Sequence, residues 1–279
     1  MNKVKYIYPQ LSLKPSQDFS FFRLGGPGLA NCLFVVARAY LRAKDLKCKM
    51  LRPTWERISI GQLYRGERDK RLYYGLFKNE SIFNKLKKAW LVRFSNNVET
   101  IFGLGNFFED ILDRSNEIRE WFFSAIEPTA IETVPIDLHS NIAVHVRLGD
   151  FPIQYRVSIK WYKAIISEVQ KEIGHSLDIL LFSDGQDKEL VELLEIPGVK
   201  RVCYGNALAD MVAISRCGML IAGKYSTFSA WGAYLGNVPS VFSSIDYGRV
   251  LPDSRFDIRL GENTQLPLEF IRYVKKKIS

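Results

Sequence analysis

The chain has 279 residues, 47% of them hydrophobic and 25% charged, which excludes a disordered polymer and leaves enough apolar material for a sizeable core. No run approaches the ~20 apolar residues of a membrane span, and the opening MNKVKY lacks the apolar stretch of a secretory signal, so a cytoplasmic protein is expected. The net charge of +9 suits a polyanionic partner, whether a phosphorylated small molecule, an anionic membrane face or nucleic acid.

The first recognisable feature is the glycine loop Gly25-Gly26-Pro27-Gly28, which enters a helical stripe of Leu29, Leu33, Val36 and Tyr40. The loop is neither GxGxxG nor GxxxxGK[ST], which removes dinucleotide and P-loop readings. Cys32 and Cys48, with Cys203 and Cys217 further on, form no CxxC pair, and only His139, His145 and His175 could join them in a metal site. Buried small hydrophobes in a reducing compartment is the reading for Cys32 and Cys217. Residues 58–123 read as mostly helical, rich in aromatic and basic side chains. The basic clusters there (Arg65, Arg68, Lys70, Arg71; Lys85, Lys87, Lys88) and at Lys275, Lys276 and Lys277 make no continuous nucleic-acid stripe. No nucleic-acid partner is expected, while peripheral contact with the inner face of an anionic membrane is compatible with the charge.

Pro135 and the polar stretch 137–140 interrupt the pattern, and from there strands and helices alternate. Residues 141–146 (NIAVHV) read as a strand and a helix follows from about Ser158. Then come a strand at 177–182, a helix at 187–194, a strand at 199–204 and a helix at 207–216. A strand at 219–222, a helix at 226–235 and a strand at 238–242 complete the series. Near-continuous apolar strands in such a series predict a parallel sheet covered on both faces, with ligands beyond the carboxyl ends of its strands.

Three polar motifs fall at that edge. His145-Val146-Arg147-Leu148-Gly149-Asp150 sets an imidazole, a guanidinium and a carboxylate at one strand end. A fixed guanidinium fork can bind a diphosphate leaving group without metal, and an Arg147–Asp150 pair closing the strand is the alternative. Phe182-Ser183-Asp184 offers a carboxylate that could accept from a ribose or a guanine. Ser226-Thr227-Phe228-Ser229 opens a helix, a natural phosphate site through its free N–H groups, or a simple N-cap. Trp231 and Tyr234 read as core packing.

In order and spacing these motifs resemble glycosyltransferase family 11, the α-1,2-fucosyltransferases, whose members carry GGLGNQ-like, HxRRGDY, FSDD and SSFSWWGAWL-like segments. The matching positions run from Gly25 through His145–Phe151 and Phe182–Gly185 to the segment 226–235, with Asn31 beyond the glycine loop. Leu148 stands for the second arginine, Gly185 for the second acid and Ala230 for one tryptophan. The resemblance implies an α/β fold of two Rossmann-like lobes of the GT-B type. Its expected parts are an acceptor-side lobe at 1–136, a nucleotide-sugar lobe at 137–265 with a parallel sheet and helices on both faces, and a basic helix at 266–279.

It further implies inverting transfer of fucose from GDP-fucose to a galactose-type hydroxyl of a surface polysaccharide, with no metal and no cofactor. Arg147 would contact the diphosphate, Asp150 is the candidate base, and His145 would orient the loop or a phosphate or simply fill the core. Gly26, Gly28, Asn31, Ser183, Asp184, Ser226, Thr227, Phe228 and Ser229 complete the expected donor site. The rival readings are a transferase of the same fold with another sugar and a basic protein that binds nucleic acid or lipid.

Overall fold

The computed structural model describes residues 4–58, 72–149, 151–173, 177–243, 248–261 and 265–278. Asp150, His175 and the basic cluster Arg65, Arg68, Lys70 and Arg71 lie outside the described residues. The chain forms two compact units, Met1–Ala130 and Ile131–Ser279.

The first unit begins with β1 (Tyr6–Pro9), the middle strand of a three-stranded parallel sheet. Its neighbours are β3 (Lys49–Met50) and β5 (Val98–Ile101). A second, two-stranded parallel sheet pairs β2 (Arg23–Leu24) with β4 (Arg57–Ile58). Between β2 and β3 runs α1 (Leu29–Asp45), capped at Gly28 and packed through Ala39 and Ala43 onto Ile7 of β1. Its other buried positions meet an aromatic cluster in which Phe34 sits edge-on to Phe108, with centroids 4.8 Å apart. Two further helices among the described residues are α2 (Ile82–Phe94) and α3 (Ser115–Ala125). Among the described residues of 72–123, α2 and the start of α3 are helical as the pattern suggests, and β5 is a strand that the pattern does not show. β5 is only four residues long, too short for its period to show against flanking polar residues.

The second unit is a doubly covered parallel sheet. Its strands are β6 (Leu138–Val146), β7 (Ile179–Ser183), β8 (Val199–Arg201), β9 (Cys217–Ala222), β10 (Ser240–Phe242) and β11 (Asp257–Arg259). They lie in the order β11-β10-β9-β6-β7-β8, every pair parallel. The helices are α4 (Ile159–Ile173), α5 (Asp187–Leu194), α6 (Ala207–Arg216), α7 (Thr227–Gly236) and α8 (Leu268–Ile278).

Strand alternation assigns the faces. Ile142, Val144 and Val146 of β6 join Trp161, Ile165 and Val169 of α4, Leu190 and Leu193 of α5, and Phe270 and Val274 of α8 in one core. His145, with the opposite parity, turns to the face carrying α6 and α7. Those two helices pack closely because a Cβ at Gly232 would come 2.5 Å from Ile214 Cγ2. Trp231 and Tyr234 are fully buried in the core and meet edge-on. Among the described residues no helix is long and apolar enough to cross a membrane.

Candidate active site

The strand order locates the site. From β6 the chain builds β7 and β8 on one side, then crosses to build β9, β10 and β11 on the other, so the winding reverses between β6 and β9. In open α/β sheets the crevice beyond the carboxyl ends of the two strands at such a reversal is where ligands bind. His145 pairs in register with Ala222, so the loop after β6 and the start of α7 after β9 lie at this one edge.

His145 joins the two. Its Nδ1 lies 2.6 Å from Ser229 Oγ and 3.4 Å from Ser226 Oγ. Ser229 donates its hydroxyl to Ser226 Oγ at 2.9 Å, and Ser226 caps α7 by accepting from Ser229 N at 3.3 Å. With the Ser229 proton so committed, Nδ1–H donates to Ser229 Oγ, and Nε2 keeps its lone pair. Burial pushes the imidazole down to about 4; Asp184 opposes that shift and Arg147 adds to it. His145 is therefore neutral near pH 7 and, in this tautomer, has no Nε2 proton to give a phosphate. It fixes the start of α7 against β6. Behind it, Tyr162 of α4 donates its hydroxyl to the His145 carbonyl at 3.3 Å, and a Cβ at Gly223 would run into that hydroxyl.

Arg147 follows the end of β6 and is half-buried, its guanidinium 5.4 Å above the Phe151 ring. Phe151, Tyr155 and Tyr225 form an aromatic trio, with Tyr155 and Tyr225 edge-on at 5.7 Å. Tyr225, at the tip between β9 and α7, has φ +59°, a left-handed conformation that costs a bulky residue ~1–3 kcal/mol. Lys224 beside it lies 5.4 Å over the same ring. Two cations and the first turn of a ten-residue helix thus gather at the reversal point. That turn leaves backbone N–H groups directed outward, so the edge is chemically fit for a diphosphate.

Asp184 and Ser183 each accept from the backbone of nearby loops. Asp184 Oδ1 accepts from Leu148 N at 2.8 Å and from Gly149 N at 3.0 Å, so this oxygen holds the Arg147 loop. Strand pairing has ended there, and those amides need an acceptor. A Cβ at Gly149 would lie 2.8 Å from Asp184 Oδ2, which is why the loop turns at glycine. Ser183 Oγ accepts from Gly185 N at 3.0 Å.

Arg156, which the motif reading passed over, grips the same loop by its carbonyls. Its Nε donates to Phe151 O at 3.0 Å, one terminal nitrogen to Gly149 O at 3.4 Å and the other to Glu189 Oε1 at 3.1 Å. No motif marks it, and only its place just past the loop hinted at this role. Leu148 and Gly185 also meet. A Cβ at position 185 would stand 2.6 Å from Leu148 Cδ1, so the leucine side chain fills the space over the glycine.

In the first unit, Gly25 and Gly26 have φ +63° and +88°. A Cβ at Gly26 would lie 2.6 Å from Leu11 O and 2.5 Å from the Arg23 guanidinium. Arg23 is fully buried and donates to Gly25 O at 2.5 Å, Thr54 O at 3.1 Å and Cys32 Sγ at 3.2 Å, supporting the loop from beneath. Gly28 caps α1, whose Leu29 N donates to Tyr73 Oη at 2.8 Å, and Asn31 sits in its first turn. Among the described residues no three His, Cys, Asp or Glu side chains gather as they would to hold a metal ion.

No family model matches the chain, and no curated protein sequence matches it. Among solved structures it is similar to NodZ α-1,6-fucosyltransferase co-crystallised with GDP, at 16% identity over 85% of this chain and 94% of that one, with a TM-score of 0.46. The NodZ enzyme is from Bradyrhizobium. A FUT1 mutant of Arabidopsis thaliana in complex with GDP matches at 12% identity, covering 94% of this chain and 80% of its own, with a TM-score of 0.48. POFUT1 in complex with GDP matches at 11% identity over 87% of this chain and 99% of that one, with a TM-score of 0.44. These are likenesses in the course of the chain.

Proposed function

We propose that the chain is an inverting fucosyltransferase that moves fucose from GDP-fucose to a galactose-type hydroxyl of a cell-surface polysaccharide, forming an α-1,2 linkage without a divalent cation. The observation that carries this reading is the His145–Ser229 contact at 2.6 Å. It draws the strand end at residues 145–149 and the Ser226–Ser229 helix start, distant in sequence, to one edge of the sheet reversal.

In the reaction the acceptor oxygen attacks the anomeric carbon on the face opposite the diphosphate, and the bond to the β-phosphate oxygen breaks. Arg147 would hold the phosphate oxygens with its fork, and the first N–H groups of the helix that Ser226 caps, those of Thr227 and Phe228, would face the charge that grows on departing GDP. Asp150, in the same loop, is the candidate to take the acceptor proton. Gly26, Gly28 and Asn31 are assigned to donor contact on the motif match. Asp184 and Arg156 act through the loop they anchor. Peripheral contact with an anionic membrane belongs to the same reading.

Substitution of Arg147 tests it. Arg147→Ala should lower kcat/KM for the donor by roughly 30- to 1000-fold, the equivalent of ~2–4 kcal/mol, and Arg147→Lys should recover little because lysine lacks the planar fork. The melting temperature should stay close to wild type. A destabilised Arg147→Ala with near-normal kcat/KM would make the guanidinium a strand-closing group and remove the reading.

A further inference from the structure

Helix α2 is turned inside out. Its buried positions are Lys85, Lys88 and Leu91, whereas Ile82, Phe83, Leu86, Trp90 and Phe94 are between 54% and 74% exposed. The lysines are accommodated by partners within the unit. Lys88 Nζ donates to Arg52 O at 3.2 Å and lies 3.9 Å from Glu80, while Lys85 is 3.8 Å from Glu56. The orientation is thus held by buried polar contacts, and the apolar residues are left outside by construction. At about 100° per residue, Leu86, Trp90, Phe83 and Phe94 fall within an arc of about 80°. Exposed Arg93 and Lys87 border that arc at its two edges, with Ile82 just beyond Arg93.

We propose that α2 is a membrane-surface helix, its Leu86, Trp90, Phe83 and Phe94 face entering the headgroup–acyl boundary of an anionic bilayer while Arg93 and Lys87 bind lipid phosphates. Aromatic and aliphatic anchors bordered by cations are the chemistry that such an interface selects. The charge of the whole chain, +9, favours the same surface. A second copy of the chain fits less well. A symmetric pairing of this face would bring its bordering cations together, and one 13-residue helix, about 20 Å long, offers far less than the ~800 Å² per partner of a stable interface. This inference rests on the membrane contact included in the proposed function and not on its donor assignment; its readout is lipid binding and not turnover, so the two fail separately.

The test is co-sedimentation of the full chain with phosphatidylcholine vesicles, with and without about a third phosphatidylglycerol. Wild type should bind the anionic vesicles at least about tenfold more strongly than the neutral ones, and high salt should weaken that binding. The double variant Trp90→Ser/Phe94→Ser should lose about tenfold or more, and Lys87→Glu/Arg93→Glu should lose the preference for anionic lipid. All four positions are exposed, so melting temperatures should match wild type. Trp90 fluorescence should also shift to the blue on anionic vesicles, a change absent from Trp90→Phe. Wild type that ignores anionic vesicles overturns the proposal, as do variants that bind like wild type. So does a dimer, seen by light scattering, that Trp90→Ser/Phe94→Ser dissociates in a chain with no vesicle binding.

Discussion

His145 shows how one residue can be conspicuous in a sequence while its role stays open there. Beside Arg147 and Asp150 it looks like chemistry, but burial, a hydrogen bond to Ser229 and an imidazole pushed down to about 4 make it a neutral spacer between two elements. That depression has a measurable consequence. Between pH 6.5 and about 4 an unfolded chain binds a proton at this histidine that the folded chain refuses, so stability rises with pH across that window and falls as pH is lowered through it. The full effect is roughly 3 kcal/mol, at about 1.4 kcal/mol per pH unit. His145→Asn, whose amide can reach the place of Nδ1, should flatten the pH dependence of the melting temperature between 6.5 and 4. An unchanged slope would mean that the imidazole titrates normally. Asp184 carries the same lesson: its carboxylate answers two backbone amides, a demand set by where pairing with β7 stops, and no short motif reports that.

At the scale of elements, most of the second unit was legible. Residues 187–194 and 207–216 form helices over the spans their periodicity suggests, and β6, β7, β8, β9 and β10 all fall within or close to the apolar runs. Strand pairing was not legible, because periodicity shows which residues face inward and not which strand lies alongside. The first unit resisted for another reason: β2, β3 and β4 have two residues each, and α2 reverses the amphipathic rule by burying lysines.

Two departures from the family pattern that read separately in sequence become one feature here, since Leu148 occupies the space above Gly185. Gly185→Ala should destabilise by about 1–3 kcal/mol through overpacking, and in a Leu148→Ala background that penalty should shrink by ~1 kcal/mol or more. Additive costs in denaturant unfolding would refute the pairing. Arg156, gripping the loop from its carbonyl side, is expected to act on catalysis through Arg147. Arg156→Met should lower kcat/KM by about tenfold, chiefly through a raised donor KM, with a stability loss near 1 kcal/mol. Equal kcat/KM in mutant and wild type would show that the loop holds its shape without the clasp.

For the whole molecule, the doubly wound second unit and the reversal between β6 and β9 give the proposed chemistry its place, while the proposed donor rests on which groups gather there. Arg147, Lys224 and the start of α7 suit a diphosphate, and the motif match points to guanine as its base. The most direct measurement is calorimetric titration of GDP and UDP into the full chain in excess EDTA, repeated with Arg147→Ala. The account predicts binding of GDP without metal, weaker binding of UDP, and a loss of GDP affinity of about tenfold or more in the variant. Tighter binding of UDP, binding that appears only when Mg²⁺ or Mn²⁺ is restored, or an Arg147→Ala variant with wild-type affinity would contradict it.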